Sequence, residues 1–223
     1  MLSISVADIS STVRLINERT YDNVTHLYLI RHGEYIDVEQ GRYLKNPGLS
    51  SVGVRQTERL RDRLARTGEI QADVLLTSPL RRAQESAQIL ASVLGQPVIV
   101  DEDFREWHSD DGNLVSGEFS ARWQETPATQ RPFFRWADGC ETWLEFSVRI
   151  QQALNRILQE HEGKTLVLVT HGEVIQAAFI YFFGLSAVNT PGVSLDNMSL
   201  THWFNSDQSH MWILERFNDS RHA

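Results

Sequence analysis

The side chains best suited to chemistry are an arginine and a histidine that stand together at the end of a short apolar run. Residues 26–30 form this run, whose length and β-favouring residues predict a buried strand. Arg31 and His32 follow directly, and in open α/β sheets chemistry gathers at the carboxyl ends of strands. Gly33 lets the backbone turn there and approach a ligand closely. On its own the triplet is a weak signal, because Arg-His-Gly also occurs by chance.

A second histidine stands in the same setting. Residues 166–170 form another apolar, β-branched run, and His171 and Gly172 follow it. Residues 174–183 then predict a buried helix, so His171 is expected at a strand-to-helix junction. The amino terminus of a helix offers free N–H groups and a positive dipole, which suit an anion.

A third strand end, between these two, carries arginines. Residues 73–77 predict a strand, and Ser78 is expected to cap the following helix with Pro79 in its first position. Arg81 and Arg82 come next. The three strand ends together indicate a cationic pocket of the size of one phosphoryl group.

These motifs, LIRHGE, TSPLRRAQESA and LVTHGE in that order, resemble those of the histidine phosphatase superfamily, in its phosphoglycerate mutase-like branch. The resemblance covers the chain from about His26 onward, and the ordered triple is specific although each motif alone is not. It implies an α/β three-layer sandwich, in which a mostly parallel central sheet is flanked by helices on both faces. It also implies that Arg82, immediately before Ala83, binds phosphate, rather than Arg81.

The family also needs a carboxylic acid to protonate the leaving alkoxide. The apolar residue two positions before Glu106 matches the family's pattern, so Glu106 is the expected general acid. The match weakens beyond it, and the surrounding acidic stretch leaves Asp103, Asp110 and Asp111 as alternatives.

The loop after the first strand departs from the family's pattern. In the family this loop lies beside the substrate and an Asn often follows the first His, but residues 36–39 contain none. Arg42 is the substrate-binding residue expected from this loop. Gly33 and Gly172 are expected to bring the backbone close to the phosphate.

Other segments predict the elements around the site. Ser50 is expected to cap a helix that runs to about Arg66, Gly95 to end the helix that carries Arg82, and Thr142 to cap a further helix. Residues 198–204 and 211–217 predict a hairpin. The aromatic residues of a loop insertion over about 107–138 are expected to cover the site, either as lid packing or as contacts to a leaving group.

Composition limits the remaining possibilities. A chain of 223 residues with 41% hydrophobic content suits one catalytic domain over residues 25–223, preceded by an arm or short helix over residues 1–24. The net charge of -8 argues against nucleic acid and anionic membranes as partners. Cys140 is the single cysteine, so no internal disulfide forms and a reducing, cytoplasmic location is expected. We find no run approaching the roughly 20 apolar residues of a membrane span, and no secretory signal.

The expected activity is metal-independent hydrolysis of a small phosphomonoester. Neutral His32 attacks phosphorus, while Arg31, Arg82 and His171 stabilise the charge of the phosphoryl oxygens and Glu106 protonates the leaving group. No metal or cofactor is expected. The alternatives are a cofactor-dependent, phosphoglycerate-type mutase and a non-catalytic protein that binds a phosphorylated ligand. The amino-terminal arm offers a surface for a homodimer.

Overall fold

A computed structural model describes residues 24–36, 38–39, 42–107, 118–135, 139–189, 192–206 and 211–222. Its strands are β1 (Thr25–Arg31), β2 (Val38–Glu39), β3 (Arg42–Tyr43), β4 (Val74–Thr77), β5 (Val98–Val100), β6 (Thr165–Thr170), β7 (Leu200–Ser206) and β8 (Met211–Asp219). Its helices are α1 (Ser51–Thr67), α2 (Arg81–Leu94), α3 (Glu118–Glu125), α4 (Trp143–Glu160) and α5 (Gly172–Phe183). Short 3-10 turns cover Glu102–Phe104, Arg131–Phe133 and Ala187–Asn189.

The central sheet has six strands in the order β5-β4-β6-β1-β7-β8. The first four are parallel to one another, whereas β7 runs antiparallel to both of its neighbours, β1 and β8. Because the parallel strands share a direction, the carboxyl ends of β1, β4 and β6 lie side by side at one edge. The predicted mostly parallel sheet and the predicted hairpin are both confirmed.

The sheet is buried on both faces, because alternate side chains of each strand enter different cores. Leu27 and Leu29 of β1 pack with α4 and α5, whereas Tyr28 and Ile30 pack with α1 and α2. The central strands of a sheet covered on both sides need apolar residues at every position, which explains the continuous apolar runs of β1 and β6. The predicted three-layer α/β sandwich is confirmed.

Helix ends follow local chemistry at three of the four predicted positions. Ser50 accepts a hydrogen bond from Gly53 N, and Thr142 forms a capping box with Glu145. Gly95 ends α2 in the left-handed conformation. The predicted cap of α2 is wrong: the helix begins at Arg81 after Leu80, which makes no side-chain capping bond. The hydroxyl oxygen of Ser78 accepts from Leu80 N and lies 2.6 Å from His171 Nε2.

Some predictions fall on residues outside the described parts. Residues 1–23 are among these, so the amino-terminal arm and the proposed division of the chain stay predictions. The insertion is described at residue 107 and over residues 118–135, where it forms α3 and a 3-10 turn. Within the described parts, no helix is both long and apolar enough to cross a membrane.

Candidate active site

The three strand ends bring the predicted cationic side chains into one buried cluster. The rings of His32 and His171 lie 4.9 Å apart, and Arg82 Nε lies 3.1 Å from His32 Nε2. Backbone hydrogen bonds continue past the strands, from His32 N to Thr170 O and from Ser78 N to Val169 O. The sheet itself therefore fixes the spacing between the histidines.

His32 has the properties of a neutral nucleophile. It is 2% exposed, and its Nδ1 lies 2.7 Å from the carbonyl oxygen of Gly33. A carbonyl only accepts, so we assign the ring proton to Nδ1, which leaves a lone pair on Nε2. That lone pair accepts from Arg82 Nε. Burial, together with the positive charges of Arg82 and Arg31, holds the pKa of His32 well below its usual value.

His171 is oriented by Ser78. The hydroxyl oxygen of Ser78 lies 2.6 Å from His171 Nε2, while the buried Nδ1 has no hydrogen-bond partner among the residues that the structure describes. Burial is the main cause that holds the pKa of His171 well below its usual value, and Arg82 adds to it. His171 can therefore present Nδ1 to a bound anion while Nε2 stays engaged.

The two arginines are held in different ways. Arg31 donates from Nη1 to the carbonyl oxygen of Leu195, and its buried Nε has no hydrogen-bond partner within the described part of the chain. Arg82 donates from Nε to His32, and its guanidinium lies over the ring of Tyr35, 4.4 Å from the ring centroid. A buried donor without a protein partner calls for an explanation, and an anionic ligand between the arginines supplies one.

Glu106 is placed to act as an acid. One of its carboxyl oxygens accepts from Trp107 N, and the other lies 3.9 Å from His171 Nδ1. Burial raises the pKa of Glu106 well above its usual value, and the neighbouring carboxylate of Glu173, which shares a hydrogen bond with it, raises that pKa further. Both effects favour the protonated form of this carboxyl group, which an acid needs.

The alternative acids are less well placed. The side chain of Asp103 forms an ion pair with Arg156, 3.0 Å away, and its carbonyl oxygen accepts from Arg149 on α4. Asp110 and Asp111 lie outside the described residues. Among the described candidates, the geometry favours Glu106.

Two glycines give the first motif its tight packing. A Cβ on Gly33 would lie 2.6 Å from the carbonyl oxygen of Gly53, and a Cβ on Gly53 would lie 2.0 Å from that of Glu34. Both distances are far inside van der Waals contact, so the loop and α1 meet only where neither has a side chain. Gly172 differs, because a Cβ there would lie 3.7 Å from Arg31 Nε, an ordinary contact.

Several residues at the site were not predicted. Asn197 donates from Nδ2 to the carbonyl oxygen of His32, 2.9 Å away, and Leu195 O holds Arg31. Both come from the segment before β7. No signal in the sequence pointed to either residue, because both contacts join segments far apart along the chain. Arg42 lies in β3, and its side chain is outside the described part of the structure.

Two described tryptophans of the insertion, Trp107 and Trp123, pack against each other. The ring of Trp107 lies 5.7 Å from Trp123 and 5.3 Å from Trp143, and its Nε1 donates to Glu141 O. These contacts favour the lid-packing interpretation for Trp107 and Trp123. Within the described residues, no group of three or more His, Cys, Asp or Glu could hold a metal ion.

The arrangement suits a phosphoryl group, since two buried histidines, the buried Arg82, the half-buried Arg31 and the carboxyl group of Glu106 meet at the strand ends. The chain also matches the model of the histidine phosphatase superfamily (branch 1) over residues 27–220. The chain therefore belongs to this superfamily, as its motifs predicted.

Comparison with individual proteins gives similar results. A metal-independent phosphoserine phosphatase of Arabidopsis thaliana is 26% identical over 208 residues, which are 89% of this chain and 83% of that protein. The mycobacterial glucosyl-3-phosphoglycerate phosphatase has a solved structure with a TM-score of 0.69 and 25% identity, covering 87% of this chain and 99% of that one. The Bifunctional protein Rv2228c of Mycobacterium tuberculosis is 35% identical over 156 residues, which are 66% of this chain but 41% of that longer protein.

Proposed function

We propose that this chain is a metal-independent phosphomonoester hydrolase that acts through a phosphohistidine on His32. The observation that carries the proposal is the state of His32, whose Nδ1 is bonded to Gly33 O so that Nε2 offers a lone pair among cationic side chains. A protein that only binds phosphate has no need of such a nucleophile. The activities named for the relatives above also favour hydrolysis.

The first step transfers the phosphoryl group. The Nε2 lone pair attacks phosphorus, the bond to the ester oxygen breaks, and its electron pair leaves with that oxygen. Glu106 gives its proton to this oxygen and becomes a carboxylate. Arg31, Arg82 and the Nδ1 of His171 donate to the three equatorial oxygens as their charge develops. Arg82 leaves Nε2 for the phosphoryl group in this step.

The second step restores the enzyme. Water attacks phosphorus and gives its proton to the Glu106 carboxylate, the P–N bond breaks, and its electron pair returns to His32 Nε2. Glu106 is then protonated again and inorganic phosphate leaves. The substrate class we propose is a small phosphorylated molecule. The cytoplasmic location and the homodimer stay predictions, as does a substrate contact from Arg42.

The test is phosphate release from p-nitrophenyl phosphate in the presence of EDTA. We expect wild type to be active and His32→Ala to be inactive. His222→Ala serves as a matched histidine control, because this half-buried ring is bonded to Arg63 and not to the site. Activity that survives His32→Ala, or that EDTA removes, would contradict the proposal.

Rapid quenching followed by mass spectrometry separates the alternatives. A hydrolase gives a short-lived phosphoryl group on His32. A phosphohistidine that persists until a phosphoglycerate is added would identify the mutase, and phosphate binding without any turnover would identify the binding protein.

A further inference from the structure

Tyr35 lies against two residues of the proposed site at once. Its half-buried ring is directly below the guanidinium of Arg82, 4.4 Å from Cζ to the ring centroid. The edge of the same ring meets His32 at a centroid distance of 5.2 Å and an angle of 75°. A bridge between Tyr35 and Leu49 fixes its backbone beside α1. The backbone bridge thus fixes the position of Tyr35, and its ring contacts both Arg82 and His32.

Arg82 lacks the carboxylate partner that two other buried or half-buried arginines of the described chain have. Arg63 pairs with Asp219 at 2.8 Å, and Arg149 pairs with Glu141 at 2.6 Å. Arg82 is 5% exposed, and among the described residues it forms no ion pair with a carboxylate. The contacts that the structure gives its guanidinium are His32 Nε2 and the face of Tyr35.

An aromatic face suits an arginine that must move during a reaction. A carboxylate would neutralise the charge and use the N–H donors in directional hydrogen bonds. The face of a ring attracts the cation through its quadrupole and uses none of the N–H donors. Arg82 thus keeps its full charge and its free donors, and it can slide from His32 Nε2 to a phosphoryl oxygen while it remains stacked.

We propose that Tyr35 is a positioning residue whose aromatic face holds the guanidinium of Arg82 where it meets the phosphoryl group. For turnover this inference rests on the proposed function, but anion binding tests it without turnover. Arg82 acts on both a bound phosphate and the transition state, so losing its support weakens both.

The test compares Tyr35→Phe, which keeps the face, with Tyr35→Leu and Tyr35→Met, which lose it. Because Tyr35 is half-buried, its cation–π contact lies between the exposed and desolvated values and predicts a roughly tenfold lower kcat/KM for the Leu and Met variants. Tyr35→Phe is expected to stay within about threefold of wild type. We expect the Kd of inorganic phosphate, measured by calorimetry, to rise at least about threefold in the Leu and Met variants. Tyr181→Leu is the matched control, since that half-buried tyrosine packs on Phe182.

Two results would overturn the role of Tyr35. One is phosphate binding within about twofold of wild type in whichever of the Leu and Met variants is folded. The other is equal loss in Tyr35→Phe, which would assign the effect to the hydroxyl group. A wild-type protein that binds phosphate but hydrolyses no phosphomonoester would overturn the proposed function alone, because the binding measurement still decides the role of Tyr35.

Discussion

Replacing Gly53 with alanine sets two physical effects against each other. Gly53 lies in the first turn of α1, and alanine is favoured over glycine inside a helix by about 1 kcal/mol. Helix propensity alone therefore predicts a more stable protein. The new Cβ, however, would lie 2.0 Å from the carbonyl oxygen of Glu34 and 2.8 Å from its nitrogen.

The steric overlap must outweigh the gain in helix propensity, because the new Cβ meets backbone atoms that already form hydrogen bonds. Glu34 O accepts from Ser50 N at 2.9 Å, and Glu34 N donates to Gln56 at 2.9 Å. No rotamer change can relieve an overlap with the main chain. Overpacking costs about 1–3 kcal/mol and occasionally more, and a backbone overlap belongs at or above the upper end of that range. After the gain in propensity, the net loss is about 2 kcal/mol, or a melting temperature about 4–8 °C lower.

Urea denaturation and phosphate release measure the two consequences. We expect Gly53→Ala to lower the free energy of unfolding, and to lower kcat/KM as well, because the displaced Glu34 lies two residues from His32. Gly192→Ala is the matched control, because a Cβ there would meet nothing within 4 Å. It should change stability by less than about 0.5 kcal/mol. A Gly53→Ala protein as stable as wild type, or more stable, would refute the reasoning.

Two further predictions concern the acid and the second histidine. Glu173→Gln removes a negative charge that raises the pKa of Glu106. The pKa of Glu106 should therefore fall, and the alkaline limb of the kcat/KM profile should move to lower pH. An unmoved limb would mean that Glu173 does not act on the acid. Ser78→Ala removes the 2.6 Å contact to His171 Nε2, and losing one hydrogen bond should lower kcat/KM about three- to tenfold. Because buried groups lose their partner, the free energy of unfolding should also fall by about 1–3 kcal/mol. Unchanged kinetics would show that packing alone orients His171.

Local sequence was informative wherever neighbours along the chain determine the structure. The apolar runs of β1 and β6 predicted buried strands, and each strand ends at or next to its predicted catalytic residue. Ser50 and Thr142 predicted helix starts, since a cap bonds to a backbone N–H three residues away. Ser78 failed as the cap because the backbone of Leu80 stays extended and the helix begins only at Arg81; the Ser78 hydroxyl meets a tertiary partner, His171, besides accepting from Leu80 N.

The sequence by itself determined the class of fold and the residues that meet at the strand ends. The apolar runs and the helix caps depend on neighbouring residues, and the three ordered motifs are shared with the superfamily. Only the tertiary structure placed Asn197 on the carbonyl of His32, a contact that joins residues 165 positions apart. Tyr35 under Arg82 was likewise decided by packing, as were the low pKa of His32 and the high pKa of Glu106. Burial and charge proximity produce those properties, and both arise only when distant segments pack together.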